Sequence, residues 1–575
     1  MTKHTPDFLR QRSSNMSLRA TAAANATNAS STPRLSSFAN PSEFEIKPAM
    51  SAAEKAFILG ELARNASLTL CDSCYREIPD HHTDSLPFQL TDVRSACSAC
   101  NVMTTKPEAF TEPFCRFLQE NPTIFHAVDY FTSKATSVGF EELPARDDWA
   151  GKVRPGGKYF VTRNGSSVIA FTVGKAYKPG NGVAMVAGHI DALTAKLKPV
   201  SSKPTKAGYV QLGVAPYAGA LNETWWDRDL SIGGRVIVRD ESGKTVTKLV
   251  KLDWPIARIP TLAPHFGVGM LGQNNKETEA VPIIGLDNSD ISGSNSRPVQ
   301  PLGPAGSFVA TQPPRLVQLI SKQLGIKDHS QIVNWELELF DLQPATVGGM
   351  DKEFIFAGRI DDKLCSWGAF EGLLASEAND DDGTIKLVAL FDDEEIGSLL
   401  RQGAKGNFLP LIIERTVEAL CDSGSGNKTF GPGVVGQTYA RSFLVSADVT
   451  HAANPNFLAR YLEGHAPRLN VGISICGDSN GHMTTDAVST AILTRVCELA
   501  GCTPQVFQIR NDSRSGGTVG PMLSSALGVK AADAGMAQLS MHSVRATCGA
   551  LDPGLGVKFF KGFLDRWEKV DAEWQ

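Results

Sequence analysis

Long apolar runs are missing from this sequence, and so is an excess of basic charge. No segment of roughly 18 or more residues is continuously apolar, so we predict no membrane insertion. The formal net charge is -5 at pH 7, which argues against nucleic-acid binding, because that depends on neutralising phosphates. The first residues also lack the compact apolar core of a secretory signal. These absences favour a soluble protein with no nucleic-acid partner.

Cysteine is too sparse for a disulfide framework, with 11 residues in a chain of 575. Four of them nevertheless form a CxxC…CxxC pair: Cys71, Cys74, Cys97 and Cys100. Paired thiolates at this spacing can hold a structural zinc ion. The residues between the two pairs carry few strand or hydrophobic signals, so a disordered insert and translated non-coding sequence stay open beside a zinc site.

Aromatic and acidic residues are scarce at the start of the chain. Residues 1 to 50 are rich in Ser, Ala, Asn and Thr, which is typical of a segment that cannot bury a core. Such an Arg- and Ser-rich start suits a solvated tail, a propeptide or a mitochondrial transit peptide. We therefore predict a disordered N-terminal extension over residues 1–104, which includes the cysteine segment.

Folded structure is predicted from Thr105 onward. The run PFCRFLQENPTIFHAVDYFTSKATSVGF has apolar residues at helical spacing, and Pro122 divides it into two helices. KYFVTRNGSSVIAFTVG reads as a hairpin with its turn at Asn164-Gly165. Residues 200–349 are rich in Gly, Pro and β-branched residues and predict a β-rich insertion. Strands and helices alternate from residue 350, which indicates an α/β sheet.

Five apolar runs in the sequence lead into residues that can bind metals. GVAMVAGHIDAL leads to His189 and Asp191, and FIFAGRIDDKL leads to Asp361 and Asp362. TIKLVALFDDEEIGS leads to the four acids from Asp392 to Glu395. RSFLVSADVTHA leads to Asp448 and His451, and MAQLSMHSVRA leads to His542. Ligands of open α/β sheets bind at the carboxyl ends of the strands, so these side chains are expected to converge at one edge.

Such a set suits hydrolysis by two metal ions about 3.5–4 Å apart. Two zinc sites that share one carboxylate need two His and three carboxylates, and a further carboxylate must accept a proton from the attacking water. Each residue alone is more simply explained as a helix cap, a turn residue or a surface side chain. The coincidence of all five runs carries the hypothesis. The residues alone do not choose between Glu394 and Glu395, or between Asp361 and Asp362.

Six ordered segments resemble the aspartyl aminopeptidase family, and most of all its vacuolar aminopeptidase I branch. They are GHIDALTAKLKP, GRIDDKLCSWGAF, FDDEEIGSLLRQGAKG, SADVTHAANPNF, NDSRSGGTVGP and QLSMHSVRA, and the resemblance runs from about residue 108 to the C-terminus. It implies an α/β fold, in which a three-layer α/β zinc-exopeptidase domain is interrupted by an inserted β-rich dimerisation domain. The peptidase domain would cover residues 105–199 and 350–575, with the dimerisation domain at 200–349.

The resemblance also implies a role for each site residue. The zinc ligands, two ions per subunit, would be His189, Asp361, Glu395, Asp448 and His542, with Asp361 bridging both ions. Glu394 would be the general base, Asp191 would orient His189, and His265 would reach into a neighbouring subunit's active site. Since neighbouring side chains of an extended segment point in opposite directions, Glu394 and Glu395 are expected to face different partners.

The predicted function is a zinc-dependent aminopeptidase that removes N-terminal residues from peptides with a free N-terminus. The alternatives are a di-metal deacylase or carboxypeptidase on the same fold and, from another class, a non-catalytic autophagy cargo or scaffold protein. The resemblance implies a homo-oligomer, a dodecamer, located in the vacuole and reaching it via the cytoplasm. Ser515 to Thr518 before an apolar helix predicts either a substrate-binding loop or a capped turn. The preferred N-terminal residue, acidic on the one hand or neutral or apolar on the other, stays open.

Overall fold

The computed structural model describes residues 105–266, 274–291, 300–377, 379–422, 428–514 and 516–574. The predicted N-terminal extension 1–104 and its clustered cysteines lie outside the described residues. The α-helices are α1 Thr111–Glu120, α2 Ile124–Ser137, α3 Pro314–Gln323, α4 Ile360–Leu374, α5 Phe408–Asp422, α6 Pro432–Ala440, α7 Ala487–Ala500, α8 Val519–Leu527 and α9 Asp552–Ala572.

The strands are likewise numbered in chain order. They are β1 Glu141–Glu142, β2 Lys158–Arg163, β3 Ser167–Val173, β4 Val183–His189, β5 Thr194–Ser202, β6 Tyr209–Tyr217, β7 Leu230–Arg239, β8 Thr245–Lys251, β9 Ile283–Leu286, β10 Ile332–Asp341, β11 Thr346–Gly348, β12 Phe354–Ala357, β13 Ile385–Phe391, β14 Phe443–Ser446, β15 Thr450–His451, β16 Ser474–Gly477, β17 Gln505–Gln508, β18 Lys530–Gly535, β19 Ala537–Gln538 and β20 Ala546–Gly549.

The local signals near the start of the folded region are confirmed. Helices α1 and α2 lie on either side of Pro122, and the hydroxyl of Thr123 caps α2 by accepting from the backbone N–H of His126. The hairpin β2–β3 turns at Asn164 and Gly165, whose φ angles of 59° and 64° lie in the left-handed region. The loop has three residues, Asn164 to Ser166, and its first two have positive φ, which Asn and Gly adopt with little strain.

A nine-stranded sheet forms the centre of the larger part of the molecule. Its strand order is β1-β2-β3-β13-β4-β14-β18-β16-β17, and β13, β4, β14 and β18 run parallel to one another. Every residue of β13, IKLVALF, is buried. A strand with no polar face must be covered on both sides, which fits its position in the middle of the sheet.

Two layers of helices cover the two faces of this sheet. Val186 of β4 belongs to an apolar core shared with α1, α2, α4, α7 and α9, while its neighbour Met185 belongs to a second core shared with α5 and α8. Successive side chains of a strand point to opposite faces, so one strand supplies both cores. The predicted three-layer α/β architecture is confirmed.

A second sheet forms a separate β-rich part. It has six strands in the order β8-β7-β10-β5-β6-β9, all paired antiparallel, and extends from Thr194 to Asp341. One face packs on α3 in a third apolar core. The domain bounds 200–349 and the dimerisation role stay predictions.

A three-stranded sheet, β11-β12-β20, joins two strands that precede α4 in the chain to one from near the C-terminus. Asp361 lies at the start of α4, shortly after β12. As for the helices, none in the described part of the chain combines the length and apolarity that a membrane crossing requires.

Candidate metal centre

Three of the predicted ligands form one group at the carboxyl edge of the nine-stranded sheet. His189 is the last residue of β4, and Asp448 lies two residues beyond β14, the next strand of the sheet. His189 Nε2 is 3.4 Å from Asp361 Oδ1 and 3.6 Å from Asp448 Oδ1. Two ligands about 2.1 Å from a tetrahedral zinc ion are about 3.4 Å apart, so this spacing fits one ion.

A second group shares Asp361 with the first. His542 Nε2 is 3.7 Å from Asp361 Oδ2 and 3.4 Å from Glu395 Oε2. Asp361 therefore presents one carboxylate oxygen to each imidazole, and these two triads each have their ligand atoms within 4.8 Å of one another. Asp362, the other candidate, is fully buried and belongs to neither triad.

The strand that precedes Asp361 does not belong to the nine-stranded sheet, although all five runs were expected to end at one sheet. β12, the strand before it, belongs to the three-stranded sheet, and Asp361 sits in the irregular first turn of α4. The helix is held against β4 close to this turn, because Ser366 Oγ donates to the backbone carbonyl of His189 at 2.6 Å. The helix therefore places this carboxylate at the edge where the main sheet places His189.

Glu394 and Glu395 lie in a 3-10 turn, Glu394–Ile396, which begins three residues after the end of β13. The two residues are not in an extended segment, yet their side chains do face different partners. Glu394 Oε2 is 3.8 Å from His189 Nε2, whereas Glu395 faces His542. Asp393 precedes the turn with φ 64°, and its carbonyl accepts from Ser398 N at 2.7 Å. This tight turn separates the two carboxylates.

Burial dominates the electrostatics of these carboxylates. It raises the pKa of Glu394 to about 8 and the pKa of Glu395 well above its ordinary value, and neighbouring carboxylates add to both shifts. Burial also raises the pKa of Asp448. Crowded acids of this kind are stabilised as anions by a bound cation.

The donor set fits zinc. Imidazole nitrogens and carboxylate oxygens are the ligands that zinc accepts. Glu395 Oε1 is buried and, within the described residues, has no hydrogen-bond partner. A buried carboxylate oxygen without a donor is costly unless a cation is bound to it. These residues could hold two ions, one in each triad.

Asp191 connects His189 to the turn that carries Glu394 and Glu395. Its Oδ1 is 3.2 Å from His189 Nδ1 and accepts from the backbone N–H of Glu394 at 3.3 Å. Its Oδ2 accepts from the backbone N–H of Glu395 at 3.2 Å and from Tyr217 Oη at 2.7 Å. Asp191 thus contacts one imidazole and the turn that carries two carboxylates. Sequence reasoning missed Tyr217, which belongs to the inserted sheet and carries no motif.

The inserted region also supports the loop of His542. Asn222 Nδ2 donates to the carbonyl of His542 at 2.9 Å, and Val544 N donates to Thr224 Oγ1 at 2.9 Å. Arg545 Nη1 donates to Asp341 Oδ2, also at 2.9 Å. His542 itself has φ 63° and a half-exposed side chain. Contacts with the second sheet and its loops therefore hold this residue at the edge of the first.

Two softer candidates lie elsewhere. His265 is exposed in the 3-10 turn Pro264–Phe266, where its ring stacks on Phe266, and it belongs to neither triad. Thr518 caps α8 by accepting from Gly520 N at 3.3 Å, as the helix-cap interpretation of this segment requires. Ser515 lies outside the described residues. Substrate binding by the segment stays a prediction.

Comparison with known proteins gives the family. The family described as aminopeptidase I zinc metalloprotease (M18) matches residues 117–564. Vacuolar aminopeptidase 1 of Saccharomyces cerevisiae is 42% identical over 473 residues, which cover 81% of this chain and 90% of the relative. The solved structure of Chaetomium thermophilum mApe1 is 67% identical with a TM-score of 0.76, and the match covers 82% of this chain and all of that one.

A further solved structure, the S. cerevisiae mApe1 dodecamer, is 37% identical with a TM-score of 0.70, covering 81% of this chain and 99% of that chain. A family match over most of the chain, together with relatives above 30% identity over four fifths of it, leaves no doubt about membership. The chain belongs to the M18 family of zinc metalloproteases and is a zinc aminopeptidase, a hydrolase of peptide bonds.

Proposed function

We propose that each subunit removes N-terminal residues from peptides with two zinc ions, one in each triad. The position of Asp361 is the observation that carries the proposal, because its two oxygens face two different imidazoles. His189 and Asp448 complete the ligands of one ion, and Glu395 and His542 those of the other. Bound there, zinc supplies Lewis acidity, which polarises a peptide carbonyl and lowers the pKa of a water molecule.

Glu394 is the general base in this proposal. It lies beside the first triad but outside both, so it is free to accept a proton from the attacking water and to pass it to the leaving amine. Its raised pKa, about 8 from burial without bound metal, will fall when cations bind nearby. Asp191 orients His189 and fixes the turn of Glu394 and Glu395 through the hydrogen bonds described above.

Metal analysis and a substrate panel test this function together. The purified chain is expected to bind two zinc ions and to cleave aminoacyl chromogenic substrates that have a free amino group. N-acetylated versions of the same substrates are the matched control and should not react. Cleavage of the blocked substrates, or release of C-terminal residues instead, would favour the deacylase or carboxypeptidase alternative. The panel also determines whether acidic or apolar N-terminal residues are preferred.

We also propose that the protein works as a homo-oligomer, a dodecamer. The mApe1 dodecamer, a relative with the same fold, supports this. So do exposed apolar side chains on and beside the inserted sheet, among them Tyr209, Leu286 and Trp254, which an interface would cover. His265 would then reach the active site of a neighbouring subunit. Sedimentation velocity at micromolar concentration is expected to show the large species, and a monomer would contradict it.

The vacuole is the proposed location, reached via the cytoplasm. The name of the S. cerevisiae relative, a vacuolar aminopeptidase, supports it. A fluorescent fusion of the whole chain should accumulate in the vacuole, whereas a mitochondrial signal would support the transit-peptide alternative for the N-terminal residues.

A further inference from the structure

Tyr217 brings the inserted sheet into contact with the metal centre. It is the last residue of β6, and its side chain is buried. Its hydroxyl is 2.7 Å from Asp191 Oδ2 and 3.5 Å from Asp393 Oδ1. The shorter contact is a charge-assisted hydrogen bond, which is about twice as strong as one between neutral groups. A residue from one sheet therefore contacts the carboxylate that organises ligands on the other.

The groups around Tyr217 keep its hydroxyl in the role of a hydrogen-bond donor. Burial, followed by the charges of Asp191 and Asp392, raises the pKa of the hydroxyl, so it stays protonated and acts as a donor. The Lys196 ammonium lies 3.8 Å from the centre of the ring, and this cation–π contact holds the ring in place. The hydroxyl is therefore directed at Asp191 by groups that are themselves fixed in the inserted sheet.

Asp191 needs this donor to keep its geometry. Its two oxygens together contact four donor groups: the His189 ring, the backbone N–H groups of Glu394 and Glu395, and Tyr217 Oη. The Tyr217 contact is the shortest of the four. Without it, Oδ2 keeps only the 3.2 Å bond from Glu395 N, and the buried carboxylate is held less firmly. Rotation would displace both the imidazole of His189 and the turn that carries Glu395.

We propose that Tyr217 is a positioning residue of the metal centre, which holds Asp191 and through it both metal-binding triads in the geometry that binds zinc. The inference rests on the proposed function, because it assumes that the two triads bind zinc. It makes the inserted sheet part of the active site as well as a candidate interface.

The test is the zinc affinity of the full-length Tyr217→Phe variant, measured by competition with a chromogenic zinc chelator. The substitution keeps the buried ring and its contact with Lys196 and removes only the hydroxyl. Loss of a group that orients a metal ligand typically weakens metal binding 10–100-fold, and we expect a loss in that range. Tyr177→Phe is the matched control, because Tyr177 is also buried but donates to the backbone carbonyl of Asn181.

A double-mutant cycle with Asp191→Asn shows whether Tyr217 acts through Asp191. In the Asp191→Asn background, removing the Tyr217 hydroxyl should change zinc affinity less than about twofold, because its partner is already altered. Full additivity would overturn the inference, and so would an unchanged affinity in Tyr217→Phe or an equal loss in Tyr177→Phe. An unsubstituted chain that binds no zinc would instead refute the proposed function itself.

Discussion

Replacing Glu394 with Gln tests the division of labour between two adjacent carboxylates. The amide keeps the shape of the side chain but cannot accept a proton. Loss of a general base typically costs about 10²–10⁴ in rate, which corresponds to about 3–5 kcal/mol on the barrier. Because Glu394 belongs to neither triad, zinc content should stay at two ions per chain. We expect kcat to fall by that factor at zinc levels that saturate the protein.

Glu395→Gln should behave differently. Glu395 is 3.4 Å from His542 and belongs to the second triad, and one of its oxygens is buried with no hydrogen-bond partner among the described residues. An amide is a poor replacement for a carboxylate ligand. Zinc content should therefore fall towards one ion per chain, and part of the activity should return when zinc is added.

Metal analysis and steady-state kinetics, carried out in parallel on the Glu394→Gln and Glu395→Gln variants, decide which carboxylate is the base and which the metal ligand. Glu241→Gln is the control, since Glu241 is an exposed residue between β7 and β8 and should change neither property. The reasoning is refuted if Glu394→Gln loses zinc while Glu395→Gln keeps both ions, because the two roles would then be exchanged. Equal loss of zinc in both variants would refute the distinction altogether.

Three further outcomes are expected. Removing the metal with a strong chelator should abolish peptide hydrolysis, and adding zinc back should restore it in the same assay. A chain that begins at Thr105 should retain bound zinc and activity, because the family match starts at residue 117; loss of activity in a folded chain would draw attention to the cysteine segment. Phe131→Ala should lower the free energy of unfolding by about 3–5 kcal/mol in urea titrations, since Phe131 is fully buried against Phe117 and Phe370.

Local sequence patterns were enough to predict much of the fold. The helix pair around Pro122, the hairpin at Asn164-Gly165 and the buried strand IKLVALF are all read from short-range periodicity and turn chemistry. A candidate metal ligand at the end of a buried strand, such as His189, is visible in the same way. The structure places it beside Asp448 because the parallel strands β4 and β14 are neighbours.

Such local patterns do not predict contacts between residues that are far apart in the sequence. Asp361 follows a strand of the small sheet and reaches the centre through the packing of α4, which no local period encodes. Tyr217 is one aromatic residue at the end of a β-strand, and only the docking of two sheets makes it a neighbour of Asp191. The loop that carries Glu394 and Glu395 is predictable from the end of the strand, but acidic residues after a strand do not reveal that it forms a 3-10 turn.

The order in which the ligands occur along the chain has a consequence for biosynthesis. The first triad is complete once Asp448 has been made, but the second needs His542, and α9, which packs against α4, comes later still. Chains fold progressively from the N-terminus during synthesis. A chain that stops before residue 542 therefore lacks one residue of the second triad even when most of its sheet is formed. Under the proposed two-ion mechanism, such a chain has no peptidase activity.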